Sequence, residues 1–311
     1  MKAIRIYEFG GPDVLKFEDI PMPQLTSSDI RIRVIAAGVN PVDWKMRAGW
    51  MKIPLPITLG MDVAGVVDAL GKDVDSFLLG ERIFAKASLP HGGYAEYTVV
   101  KASQAAQMPR SIGFVEVAAI PTAGLTAWQS IFDVAGLKGG QSILIHGAAG
   151  GVGSFAVQFA KWKDAYIIGT ASSGNAQFLR SIGADEVIDY KTQRFEDIVH
   201  DVDVVLDTVG GDTFERSWKV LKPGGFLVTT VAEVPEGAAV AHGVGAKHIL
   251  SQADGRELAQ IAALMDEQRI KPIVTTVLPL AEARKAHERS ESRHARGKIV
   301  LRVAEDPKAK P

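Results

Sequence analysis

Ile30, Ile32, Val34 and Ala36 alternate with their neighbours along "IRIRVIAAG", the two-residue period of a half-buried strand. Glycine and proline punctuate the first third of the chain at Gly10-Gly11-Pro12, Pro21, Pro23, Pro54, Pro56 and Gly92-Gly93. That pattern predicts short strands and turns in a compact, mainly β domain. After about Ile112 the rhythm changes. "SILIHG" reads as a buried strand, and Val152, Phe155, Ala156 and Phe159 then recur at helical spacing through Trp162. "AYIIGT" predicts a second strand with a helix through Ala176 to Ile182 behind it, and "DEVIDY", "VDVVLDT" and "GFLVTTV" predict three more strands. Strand and helix alternating over this length predict an α/β domain with a parallel sheet covered on both faces.

Residues 254–268 carry the spacing of an amphipathic helix. Past Pro272 come short strands, a charged helix around Ala281 to Glu291, a last strand "KIVLRV", and a charged tail from Ala304 that is expected to fray. The plan is an α/β domain, residues 114–267, inserted into a β-rich domain built from residues 1–113 and 268–311. The stretch between Ala232 and His248, rich in alanine and glycine, gives little periodic signal.

Composition narrows the chemistry. With 35 basic and 36 acidic residues the net charge is −1, so no nucleic-acid footprint is expected. The absence of cysteine removes disulfides, thiolate catalysis and every zinc site that needs sulfur. The start "MKAIRIYEFGGPD" lacks an apolar signal core, and no apolar run is long enough for a membrane span, so a cytoplasmic location is expected. None of the seven histidines has ligand-like spacing with another histidine or a carboxylate; His146, His287 and His294 read as structural or solvated, and His91 stands beside a glycine pair.

"ILIHGAAGGVGSF" sets Gly147, Gly150 and Gly153 between an apolar strand and an amphipathic helix, with a second strand to follow. In that context the glycines allow a sharp turn and a close approach of backbone to pyrophosphate, and the helix N-terminus supplies N–H groups and a favourable dipole. Ala148 stands where the G-x-G-x-x-G pattern has its first glycine, so the spacing is a variant; Ala149, Gly151 and Val152 complete the candidate loop. An NAD site carries an acid about 20 residues on, whereas Gly169 to Phe178 contains none. That permits the 2′-phosphate of NADP(H), with Thr170, Ser172, Ser173, Asn175 and Tyr190 as candidate contacts; the alternative is a polar loop with no cofactor role.

"GVNPVDWKMRAG", "GMDVAGVV", "GGYAEY", "PTAGLTAW", "HGAAGGVG", "GADEVIDY" and "RGKIVL" occur in the order found in the medium-chain dehydrogenase/reductase superfamily. The chain resembles its zinc-independent branch of quinone oxidoreductases and enone or alkenal reductases over nearly its whole length. The resemblance implies a GroES-like catalytic domain, a Rossmann domain, an active site in the cleft between them, and a homodimer by family analogy. Zinc-dependent relatives carry a cysteine where this chain has Asn40, and a histidine in the motif that here reads Gly60-Met61-Asp62. Asp62 alone would be a poor metal site, so no metal is expected.

Without a Lewis acid, the accessible chemistry is reduction of a quinone or an activated alkene, where one or two placed donors stabilise a developing enolate. Asn40 and Lys45 are the candidate catalytic residues: an amide donor and a compact positive charge. A tyrosine often stands at the Lys45 position in quinone oxidoreductases, and lysine is closer to the enone-reductase pattern. Asp43 reads as a loop brace. The resemblance also points to Asn40, Thr122 and Thr126 near the nicotinamide, and to Val209, Gly210, Thr230 and Val231 at strand ends. Arg296, Gly297 and Lys298 are expected to approach the cofactor, a surface turn being the alternative. The expectation is an NADPH-dependent reductase of small quinones or enones. Its competitors are a zinc-free dehydrogenase of another small carbonyl and an NADPH-holding sensor or structural protein.

Overall fold

The computed structural model describes residues 1–292 and 296–306; His294 and the last five residues of the predicted tail lie outside the described residues. The chain forms two compact units, Met1–Ala123 with Ala253–Pro311, and Gly124–Gln252.

The first unit is built on a seven-stranded sheet. Its central strand, Asp29–Val39, pairs antiparallel with Asp62–Leu70, Tyr97–Lys101 and Lys298–Arg302. Ile30, Ile32 and Val34 are buried and Arg31 and Arg33 are half-buried, the alternation expected of one covered face. From Ile35 to Val39 every residue is buried. The close packing there demands glycine at position 38, since a Cβ would strike Ala118 O and stand 3.0 Å from Asp62 Cβ. The register sets Gly38 opposite Asp62, Asp62 opposite Lys86, and Val39 opposite Ile299. One residue beyond that last pair, Asn40 and Lys298 meet. A second sheet, formed by Lys16–Asp19, Lys2–Ile6 and Ile57–Thr58, shares a core of Ile4, Ile6, Ile57 and Leu59 with the first. The helix Gly255–Asp266 groups with this unit; it opens at Asp254, whose side chain accepts from Arg256 N and Glu257 N. The charged helix appears as Ala283–Glu291.

The second unit is a six-stranded parallel sheet ordered Glu186–Asp189, Tyr166–Ala171, Ser142–His146, Val202–Asp207, Leu221–Thr229, Gly245–His248. Numbered within the unit this order is 3-2-1-4-5-6, the Rossmann arrangement, and the mixed α/β architecture expected from the sequence is the one found. The order reverses between Ser142–His146 and Val202–Asp207, so a crevice opens at their carboxyl ends. The helix Gly151–Trp162 is buried from Gly153 to Ala160, and Phe155 and Phe159 join Trp128 and Phe132 in an aromatic cluster. The segment without periodic signal holds a short helix, Ala238–Ala241, and the edge strand Gly245–His248. Among the described residues no helix is long and apolar enough to cross a membrane.

Candidate active site

The glycine loop of the second unit is shaped by side chains it has no room for. Gly147 has φ of +68°, in the left-handed region, and a Cβ there would stand 2.5 Å from Thr208 Oγ1. A Cβ on Gly153 would strike the Gly147 carbonyl oxygen and lie 2.6 Å from Ala148 Cα. Gly150 is the N-cap of the helix, and its carbonyl accepts the first intrahelical bond, from Ser154 N at 3.0 Å. The N–H groups of Gly151, Val152 and Gly153 therefore precede the helical ladder, and the dipole adds partial positive charge where they point. Unpaired N–H groups at a helix start have the chemistry that favours an anion. Ala148 faces the other way: it is buried, and its N–H donates to Thr170 O at 3.1 Å.

Two buried polar side chains hold the strand ends around this loop. Burial pushes His146 down to about 3, so the ring is neutral. Its neighbours fix the tautomer. The Ser217 hydroxyl donates to Thr213 O at 2.6 Å, so it accepts from His146 Nε2–H at 3.1 Å. Nδ1 is then the acceptor for the Thr170 hydroxyl, also at 3.1 Å, which commits that hydroxyl inside the protein. Asp207 is fully buried; one oxygen accepts Val209 N and Gly210 N, each at 2.9 Å, and the other accepts Thr229 Oγ1 at 3.0 Å. Thr230 N donates to the Asp207 carbonyl at 3.0 Å. Val209 and Val231 are left exposed at the crevice end of the sheet.

At the end of the second strand, Asn175 is bonded back to Ser172 by backbone at 2.8 Å and by side chain at 3.1 Å. Ser173 and Tyr190 are exposed in the same region. Thr126 Oγ1 donates to Ser251 Oγ at 2.9 Å within this unit.

The first unit brings together residues from three strands and one helix start. Asn40 ends the central strand and caps the helix Pro41–Arg47; its N–H donates to Asp43 Oδ2 at 2.8 Å, while Asp43 N donates to Asn40 O at 3.0 Å. The Asn40 amide is buried, with Nδ2 donating to Asp62 Oδ2 at 2.9 Å and Oδ1 accepting from Lys298 Nζ. Asp62 Oδ1 accepts both Thr122 N at 2.8 Å and Thr122 Oγ1 at 2.5 Å. Lys86, across the strand from Asp62, is buried enough that desolvation lowers its pKa, and the Asp62 charge opposes that shift. Burial raises Asp43 to about 7, against the hydrogen bonds from Asn40 N and the Tyr94 hydroxyl, the latter at 2.9 Å.

The expected residues thus fall into separate groups. Asn40, Thr122 and Lys298 share one buried cluster with Asp62. Lys45 sits on the helix beyond Asn40, its ammonium 5.6 Å from the Trp50 ring centre and 6.0 Å from that of Trp44. Arg296 is exposed, its carbonyl accepting from Thr275 Oγ1 at 2.7 Å, and Gly297 turns the chain with φ of +59°. Sequence reasoning missed Asp62 as a partner of Asn40 and Asp207 as an organiser; His146, expected to be structural or solvated, is buried and bonded at both ring nitrogens. The available signal was an acid at the mouth of the apolar strand "DVAGVV" and a lysine at the mouth of "KIVLRV", because a charge entering a buried strand needs a partner. Among the described residues no group of three or more His, Cys, Asp or Glu could hold a metal ion.

Two family models match: "Alcohol dehydrogenase GroES-like domain" over residues 26–110 and "Zinc-binding dehydrogenase" over residues 182–301. The quinone oxidoreductase of Sus scrofa is 34% identical, covering 97% of each chain. The chloroplastic NADPH-dependent alkenal/one oxidoreductase of Arabidopsis thaliana is 35% identical, covering 97% of this chain and 79% of the relative. The solved Escherichia coli quinone oxidoreductase complexed with NADPH superposes with a TM-score of 0.90 at 30% identity, over 97% of this chain and all of that one (100%). The chain therefore belongs to the medium-chain dehydrogenase/reductase superfamily, as an oxidoreductase whose relatives include quinone oxidoreductases.

Proposed function

We propose that this chain is an NADPH-dependent reductase of quinones or of the C=C bond of α,β-unsaturated carbonyls, acting without a metal. The observation that carries the reading is the buried Asn40 amide held between Asp62 and Lys298, a fixed neutral donor among balanced charges. Such a group suits stabilisation of an oxyanion that appears only as the reaction proceeds.

The second unit's residues fit a dinucleotide. Gly153 lets the helix start pack directly on the backbone of Gly147 and Ala148, where a Cβ would clash, and the N–H groups of Gly151, Val152 and Gly153 would take the pyrophosphate. Ser172, Ser173, Asn175 and Tyr190 would meet the 2′-phosphate, and no carboxylate between Gly169 and Phe178 opposes it. Val209, Gly210, Thr230 and Val231 would line the dinucleotide at the strand ends, with Thr126 as a further contact. The relatives named for NADPH support the same assignment.

Zinc does not fit. Asn40, where zinc-dependent relatives carry a cysteine, and the nearby Asp62 are both bonded to the Lys298 ammonium, and no cysteine is present in the chain.

When bound, reduced nicotinamide supplies the hydride. For an enone, Asn40 Nδ2–H would donate to the carbonyl oxygen as negative charge builds on it. Lys45 adds positive charge from the same helix, steadied by Trp44 and Trp50. Water or a side chain then protonates the α-carbon.

The test follows NADPH absorbance with a panel of quinones, enals and enones, together with the affinities for NADPH and NADH. Turnover of at least one class and tighter binding of NADPH are expected. Tight binding without turnover would favour the sensor reading, and equal affinities would overturn the 2′-phosphate assignment.

A further inference from the structure

Lys298 is the strangest residue of the first unit: a lysine only 4% exposed at the start of the final strand. Its backbone is fixed there. Lys298 N donates to Ile273 O at 2.8 Å, and the preceding Gly297 leaves no room for a Cβ against that same carbonyl. An ammonium has three N–H donors and no acceptor. Lys298 directs them at Asn40 Oδ1, Val39 O at 3.2 Å and Asp62 Oδ2 at 3.4 Å.

This arrangement decides how Asn40 is oriented. An ammonium can face only the oxygen of an amide, and an ionised carboxylate can face only its nitrogen. Lys298 on one side and Asp62 on the other therefore allow one orientation of the Asn40 side chain; a flip would set donor against donor and acceptor against acceptor. Asp62 is itself pinned by Thr122, which donates to Oδ1 from both N and Oγ1. Asp62 takes one of the two Nδ2 hydrogens and leaves the other. The positive charge on Oδ1 also draws electrons out of the amide, which strengthens the remaining N–H as a donor.

We propose that Lys298 is a positioning residue for the reduction: its ammonium fixes the Asn40 amide so that one N–H is kept for the substrate oxygen. The inference rests on the reductase reading above, and it assigns Lys298 no contact with substrate. Lys298 and Asp62 then form a charge-balanced pair whose purpose is the direction of a third, neutral group. That differs from an ion pair serving only stability, which apolar residues could replace at little cost.

The test uses the full chain and two variants. Lys298→Met alone leaves Asp62 without the ammonium bonded to it and can fail to fold, so Lys298→Met/Asp62→Asn, which removes one charge of each sign and leaves the net charge unchanged, is made beside it. Three readouts are taken: kcat and KM for an enone or quinone, the Kd of NADPH, and the side-chain NH2 resonances of Asn40 by 15N NMR. The account expects the neutral pair to fold, to bind NADPH within about twofold of wild type, and to lose about 10²-fold in kcat, the scale of one oxyanion donor. Adding Asn40→Ala to that variant should cost little more, because the two changes remove one function. The Asn40 NH2 signals should shift or broaden.

Wild-type kcat in the neutral pair, or a loss that multiplies with that of Asn40→Ala, would overturn the proposal. Collapse of NADPH affinity with kcat retained would make Lys298 a cofactor ligand instead. If the wild-type protein reduces neither substrate class, the reductase reading fails by itself. The NMR readout still decides whether Lys298 orients Asn40, since unchanged Asn40 signals in the neutral pair would refute that claim without any reference to turnover.

Discussion

Gly153→Ala is the smallest change that tests the glycine loop. The new Cβ would strike Gly147 O and stand 2.6 Å from Ala148 Cα and 2.9 Å from Ala148 C. All three are backbone atoms of the turn, so no side chain can swing aside. Restoring an ordinary 3.4 Å contact to Ala148 Cα requires the helix start to move by about 0.8 Å. Overpacking of this kind costs about 1–3 kcal/mol of stability. The same shift displaces the N–H groups of Gly151, Val152 and Gly153. A hydrogen bond to a charged group contributes about 1.5–3 kcal/mol, so losing one weakens NADPH binding by roughly ten- to a hundredfold. Gly150→Ala is the comparison, because its Cβ would meet only Gly147 O, at 3.2 Å, and its φ of −77° is open to alanine. Urea midpoints and a fluorescence titration with NADPH read the two effects. Gly153→Ala should lose both stability and affinity, while Gly150→Ala should stay within about 1 kcal/mol of wild type in stability. A Gly153→Ala protein with wild-type midpoint and affinity would refute the reasoning.

Three further outcomes follow from the buried groups. Asp207→Ala strands Val209 N, Gly210 N and Thr229 Oγ1, and at about 1–3 kcal/mol for each unpaired group it should lower the urea stability by about 3 kcal/mol or more; an unchanged midpoint would contradict the organising role. Burial raises Asp43 from 3.8 to about 7, so the folded state holds the proton that the unfolded state has released, and stability from this group is present below about 4 and lost as pH rises through 7. Asp43→Asn should remove that slope, read as urea midpoints against pH, and an identical slope in both proteins would contradict it. His287 has the opposite sign. Burial lowers it from 6.5 to about 3, so its stability is present above 6.5 and lost as pH falls toward 3, a loss that His287→Phe should reduce. For the loop lysine, Lys45→Met should lower kcat on enones by roughly tenfold, less than a fully buried donor would, with NADPH affinity unchanged; wild-type turnover would remove Lys45 from the mechanism.

Local pattern made much of the fold legible. The alternation of Ile30, Ile32 and Val34 marked a strand with one covered face, and "ILIHGAAGGVGSF" marked strand, turn and helix, because a few adjacent residues determine each. The edge strand Gly245–His248 was not legible from local pattern. Its alanines and glycines carry no period, and its place depends on pairing with Leu221–Thr229. The Asn40 cluster shows the same limit at the level of chemistry. Asn40 was visible as a donor, but its partners lie 22 residues away at Asp62 and 258 away at Lys298. Only the antiparallel register of three strands brings them together, and no local propensity encodes that register. Thr170 is a related case: its position at a strand end suggested a cofactor contact, and the fold gives its hydroxyl to His146, a residue 24 positions earlier.

The central claim is hydride transfer to an activated C=C bond with Asn40 holding the oxygen, and isotope placement tests it most directly. NADPH deuterated at the nicotinamide C4 position that reacts, offered with an enone that the protein turns over, should place deuterium on the β-carbon of the product. Hydrogen at the α-carbon should come from solvent, and Asn40→Ala should slow the transfer without changing where the label lands. Deuterium on the carbonyl carbon, giving an allylic alcohol, or product with no deuterium at all, would contradict the account.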